Sequence, residues 1–187
     1  MFRGLIIILT LGALMPVSAH VPAPEPDVAV TERGGVYHVA ARFSVPEPPA
    51  AVLQLLTDYE RIPRFMPDLK TSIVRERDGG RLVVEQEAVA KMMMFSKRVH
   101  LLLEVQEQTD AVRFVDRCGK SFTRYEGAWR VISDGALTRV AYELTAKPAF
   151  SVPEFLLSRL LRRDARQMIE RLRMAITRPT ASASRQE

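Results

Sequence analysis

Six successive segments between Leu69 and Ala146 read as strands, and a turn signal separates each from the next. This run constrains the fold more than any other feature of the chain. A spacing of two in the apolar residues puts one face of a strand in a core and leaves the other in water. Within Lys97–Glu107, Val99, Leu101, Leu103 and Val105 share one face, while Arg98, His100, Glu104 and Gln106 share the other. Within Phe122–Ile132, Tyr125, Gly127, Trp129 and Val131 oppose Arg124, Glu126 and Arg130. Asp78-Gly79-Gly80, Gln108-Thr109-Asp110 and Asp134-Gly135 are hairpin signals. Strands joined by such short links form an antiparallel meander with one dry face.

A seventh strand is predicted upstream at Val36–Val45, with Tyr37, Val39, Ala41, Phe43 and Val45 on its apolar face. Downstream, Pro148 and Pro153 bracket a break. One long amphipathic helix then runs to about Ile176, with Leu157, Leu160, Leu161, Ala165, Met168, Ile169, Leu172 and Ile176 as its apolar stripe. At ~1.5 Å per residue, about 25 residues reach roughly 37 Å, enough to cross a whole sheet. A curved sheet needs its concave face covered, and no other element is long enough to do so.

Between the first two strands lies Pro49–Leu69. It opens as a short helix with Pro49 in the first turn. Pro63 and Pro67 then stop it, because each lacks an N–H and restricts the residue before it. Tyr59, Ile62, Phe65 and Met66 are too apolar for a solvated connector, so this elbow is expected to pack over something.

The chain ends read differently. Arg3, the apolar run Leu5–Leu14 and the small residues Val17-Ser18-Ala19 match a cleaved secretory signal over residues 1–19. The apolar run falls short of the roughly 20 residues that span a bilayer. The expected location is therefore across the inner membrane, in the periplasm of a Gram-negative cell. Residues 20–35 are expected as an N-terminal tail, Pro-rich through His20–Asp27, residues 36–178 as one domain, and 179–187 as a polar tail. Cys118 is the only cysteine of 187 residues, so no intramolecular disulfide forms. The net charge of +5 carries no aromatic-interleaved basic stretch, so nucleic acid is not an expected partner.

The order strand, short helix, six strands, long helix resembles the START-like, helix-grip (SRPBCC) superfamily. The nearest branch holds the polyketide-cyclase-like and coenzyme-Q-binding proteins. The residues that carry the resemblance are Asp58-Tyr59-Glu60 with Pro63, Phe65 and Pro67, then Gly127-Ala128-Trp129, and the helix from Pro153. The resemblance implies an α+β helix-grip fold, a strongly curved seven-stranded antiparallel sheet wrapped around a long C-terminal helix. It also implies a cavity between sheet and helix that holds a lipid, sterol, quinone or polyketide.

No His/Asp/Glu cluster has metal-ligand spacing, and no nucleophile or phosphate-loop motif is present, so no metal or cofactor is expected. This favours a binding module over an enzyme. The apolar ligand-binding candidates are Phe65 and Met66 in the elbow, Met93 at a hairpin, Phe114, Trp129, Leu157 and Leu161. Gln86, Tyr125 and Tyr142 are the polar groups that would orient a ligand. A cyclase- or hydratase-like enzyme is the alternative, with Asp116 as its weak catalytic candidate. A protein-interaction module with a filled cavity is another. Arg159, Arg162, Arg163 and Arg166 form a basic helix face suited to anionic lipid head groups.

Overall fold

The computed structural model describes residues 26–92, 95–151 and 153–177. The signal read at residues 1–19, Met93 and the tail 179–187 lie outside the described residues. The strands are β1 (Asp27–Arg33), β2 (Val36–Val45), β3 (Leu69–Asp78), β4 (Arg81–Met92), β5 (Phe95–Glu107), β6 (Ala111–Asp116), β7 (Phe122–Asp134) and β8 (Leu137–Pro148). The helices are α1 (Pro49–Thr57) and α2 (Glu154–Thr177), with a 3₁₀ turn at Tyr59–Arg64.

All eight strands form one antiparallel sheet in the order β1-β2-β8-β7-β6-β5-β4-β3. The sheet thus has eight strands rather than seven. The extra strand, β1, occupies part of the expected tail 20–35, so the sheet extends upstream of residue 36. Its Val28 and Val30 are buried, and it pairs with β2 from Asp27↔Arg42 to Arg33↔Val36. Gly34 and Gly35 close that hairpin at φ 60° and 77°, a region open to glycine without a Cβ clash.

Helix α2 makes its close backbone approach to β1 and β2, at one side of the sheet. Ile169 and Leu172 of this helix are the most deeply buried, at 0% and 1% exposure, and Leu172 also lines the cavity described below. The strands on the other side curve away from the helix. Register shifts between Leu69 and Thr71 and between Val74 and Glu76 break the β3–β4 ladder, and such irregularities bend and twist a strand.

Gly127 of β7 faces Phe114 of β6 directly across the ladder. A Cβ at Gly127 would lie 2.6 Å from Phe114 Cζ, and closer still to the Glu143 carbonyl oxygen. The phenyl ring therefore occupies the space a side chain would take, which explains a glycine inside a central strand.

Strand β6 stops at Asp116, two residues earlier than alternation predicts. The Asp116 carboxylate accepts N–H bonds from Cys118 at 3.1 Å and Gly119 at 3.2 Å, turning the chain. Its Oδ1 also accepts from Leu102 N–H at 2.8 Å. Asp116, the catalytic candidate of the sequence, thus caps backbone N–H groups and is not among the residues lining the cavity. Cys118 is half-buried in the following turn.

Candidate ligand-binding cavity

The hollow between sheet and α2 is a cavity of about 380 Å³. That volume falls within the roughly 300–1,000 Å³ of small-molecule sites. Three walls enclose it.

The sheet supplies an aromatic wall. Trp129 and Tyr142 are paired across β7 and β8, with ring centroids 4.3 Å apart. Phe122 and Tyr125 stack at 4.8 Å, and Phe114 lies 6.0 Å from Tyr125. A register shift between Phe122 and Arg124 places Phe122 and Tyr125 on the same concave face. The shift turns Thr123 outward, where its hydroxyl donates to the Lys147 carbonyl at 3.3 Å; simple alternation would have put it inside. Gln86 also lies on this wall, with one amide N–H committed to the Ser72 hydroxyl at 3.2 Å.

The two phenols interact with each other inside the cavity. Burial pushes Tyr125 up to about 12, with the nearby Asp116 charge adding to it. Burial raises Tyr142 further above the usual phenol range, and Tyr125 reinforces the shift. Both hydroxyls therefore stay protonated at neutral pH. They are hydrogen-bonding handles for a ligand oxygen, poorly matched to proton transfer near pH 7.

The helix wall carries Leu157 and Leu161, and the elbow wall carries Phe65 and Met66, half-buried over the interior. The elbow is fixed from below. The buried Tyr59 hydroxyl donates to Glu107 Oε1 at 2.9 Å, and Arg77 approaches the same oxygen at 3.4 Å. The Tyr59 phenol is raised far out of its normal range, first by burial and then by that carboxylate. Backbone pairing of Val89 N–H with the Asp68 carbonyl, 2.8 Å, ties the elbow to β4.

Charged groups enter the lining at one place, between the elbow and the middle of α2. Asp68, Asp164 and Arg171 line the cavity there, beside the exposed Gln167. Asp68 accepts from Arg171 at 3.3 Å and pairs with Lys91 at 3.3 Å. Burial works to raise Asp68, but the hydrogen bonds from Arg171 and Lys91 outweigh it and hold the carboxyl low. Asp164 goes the other way. Its burial outweighs the bond from Arg163, and its carboxyl sits above the usual range. Asp164 and Arg171 are not among the binding candidates the sequence supplies. Their signal was present, because each stands three residues after a stripe residue, Leu161 or Met168.

The basic face splits in two. Arg159, Arg162 and Arg166 are exposed and in no ion pair among the described residues. Arg163 is not free to join them, because it pairs with Asp164 and donates to the Lys91 carbonyl at 3.2 Å. A second hollow, about 520 Å³, lies on the outer face of the sheet. Glu104, Arg113, Glu126 and Glu143 line it together with apolar residues such as Val39 and Leu144, so its wall is far more charged than that of the first cavity.

A family described as polyketide cyclase/dehydrase and lipid transport matches residues 45–173. The chain belongs to that family. No curated protein matches the sequence. Among solved structures, TTHA0849 from Thermus thermophilus is 27% identical with a TM-score of 0.63, covering 74% of this chain and 96% of its own. The STAR-related lipid transfer protein from Xanthomonas axonopodis is 17% identical with a TM-score of 0.58, covering 83% of this chain and 100% of its fragment. The Zhui aromatase/cyclase from a Streptomyces species is 13% identical with a TM-score of 0.66, covering 80% of this chain and 98% of its own. The last two similarities establish the START-like helix-grip fold alone. The cavity of this family member is open, so Phe114, Tyr125, Trp129 and Tyr142 wall it rather than fill it, against the filled-cavity alternative.

Proposed function

We propose that this family member binds one hydrophobic small molecule or lipid between the sheet and α2, and carries it as an exported protein. The observation that supports this reading is the aromatic and aliphatic cavity, whose sheet wall carries Gln86 and protonated phenols but no charged side chain among the described residues. Burying apolar surface drives binding at ~25 cal/mol per Å². Tyr125 and Tyr142 would orient a carbonyl or hydroxyl, as a quinone or a lipid carries. Export rests on the signal pattern at residues 1–19.

The test is a series of straight-chain ligands titrated by calorimetry. Each added methylene that enters the cavity contributes about 0.8 kcal/mol, so affinity rises about fourfold per carbon until the cavity is full, then levels off. Affinity that ignores chain length would rule the cavity out as the binding site. The cyclase alternative would route its proton transfers through Asp164, the lining carboxyl that burial raises. A poly-β-carbonyl compound recovered after incubation with unchanged mass and unchanged NMR spectrum excludes that alternative, since ring closure alone conserves mass.

A carrier must also meet its donor membrane. Phe155 is 77% exposed and falls on the same helix face as Arg159, Arg162 and Arg166, at spacings of four, seven and eleven residues. An exposed aromatic beside basic residues suits an anionic lipid surface, each arginine being worth on the order of 1 kcal/mol there. Co-sedimentation with anionic vesicles should fall steeply between low and high salt. Equal binding to neutral vesicles would remove the arginines from the account.

A further inference from the structure

We infer that the ligand is an amphiphile with a carboxylate head, held at the cavity mouth by Arg171 and Lys91. The inference rests on the binding reading above and adds the polarity of the ligand to it. Asp68, Asp164 and Arg171 line the cavity here, and Lys91 and Arg163 pair with the two carboxylates from outside the lining, so three cations meet two carboxylates, an excess of one positive charge. Arg163 and Asp164 satisfy each other at 2.9 Å. That leaves Asp68 alone between Lys91 and Arg171, at 3.3 Å from each. One carboxylate is therefore shared by two cations, whose remaining donors a second carboxylate could bridge.

The position fits an entering head group. Arg171 lines the cavity, with its side chain only 30% exposed, so its charge is less screened than that of a surface arginine. It commits one guanidinium N–H to Asp68, out of the five donors the group carries. Gln167, one turn before it on the lining, adds an amide that can donate to the same oxygens. A tail among the aromatic and leucine side chains would leave its head at this wet end, where a charge keeps part of its hydration. A cationic head would meet the excess positive charge instead.

The experiment compares a saturated fatty acid with the alcohol and the primary amine of equal chain length, each titrated into the intact protein below its micelle concentration. The acid should bind at least tenfold more tightly than the alcohol, and the amine most weakly. In Arg171→Gln the acid-to-alcohol ratio should fall toward one, and high salt should do the same in the unaltered protein. Lys91→Gln, on the exposed side of the pair, gives the same readout if the first variant does not fold. Equal binding of acid and alcohol to the unaltered protein overturns the head-group assignment and leaves the hydrophobic-ligand reading standing. If neither binds, both fall together.

Discussion

Replacing Ile169 by alanine is expected to destabilise the protein by about 3–4 kcal/mol, against about 1–2 kcal/mol for Leu161→Ala. Both are branched aliphatic residues on the apolar stripe of α2, and a stripe alone gives no reason for them to differ. The structure does. Ile169 has no exposed area and no place on the cavity wall, so its side chain is enclosed by protein neighbours. Removing its methyl and methylene groups loses their transfer energy and leaves a void, a combination that costs about 2–5 kcal/mol for a buried isoleucine. Leu161 is half-buried and already faces a hollow on one side, so fewer dispersion contacts vanish with it. Against a total stability of about 5–15 kcal/mol, the first change is severe and the second is mild. Urea titration of both variants reads the difference from the midpoints at a common slope. Equal losses would mean that helix and sheet close on each other in solution and that no cavity separates them.

That contrast also marks what periodicity could reveal. The dry faces of β2, β4, β5, β7 and β8 and the stripe of α2 follow from spacings of two and of three to four, so the layers and their order were legible. Strand β1 was not, because Asp27–Arg33 offers only Val28 and Val30 as apolar markers and follows a Pro-rich stretch. Its one clear signal, Gly34-Gly35 just before Val36, is a two-residue hairpin turn. Thr123 and Asp116 depart from simple alternation for a different reason. Each lies at an end of its strand, where a register shift or a turn captured by a carboxylate overrides simple alternation.

The mouth cluster was beyond pattern reading for a third reason. Asp68 and Arg171 stand 103 positions apart, and Lys91 comes from a strand between them. Only the closure of the elbow onto α2 brings them together. A charged residue among stripe residues, as Asp164 is beside Leu161 and Ala165, marks such a place but names no partner. The phenols were easier to find. Tyr125 and Tyr142 stand on dry faces that alternation identifies, and a buried hydroxyl needs either a partner or a ligand.

Ala88→Phe should abolish most of the ligand affinity while leaving the fold intact, the reverse of Ile169→Ala. Ala88 lies on the cavity wall, opposite Val99 on one side and Leu69 on the other. Its small side chain is one reason the hollow exists beneath β4. Enlarging a residue in a filled core forces strain of about 1–3 kcal/mol, as a side chain at Gly127 would against the Phe114 ring. Enlarging one that faces empty volume fills space and buries apolar area instead, so the net change in stability should stay within about 1 kcal/mol. A cavity of about 150 Å³ is known to accept a benzene ring, so a phenyl group here would take roughly two-fifths of the 380 Å³. The displaced ligand segment corresponds to several methylenes at about 0.8 kcal/mol each. The expected loss is at least about a hundredfold, or about 2.7 kcal/mol. Shorter ligands should suffer less than longer ones, because only the longer ones need the volume that is gone. Titration of two chain lengths into both proteins, beside their melting curves, reads every term. Unchanged affinity for both lengths would place the ligand elsewhere, with the outer hollow beside Glu104 and Glu126 the next site to test. Lost affinity together with a collapsed melting temperature would show that the space beneath β4 is filled in solution.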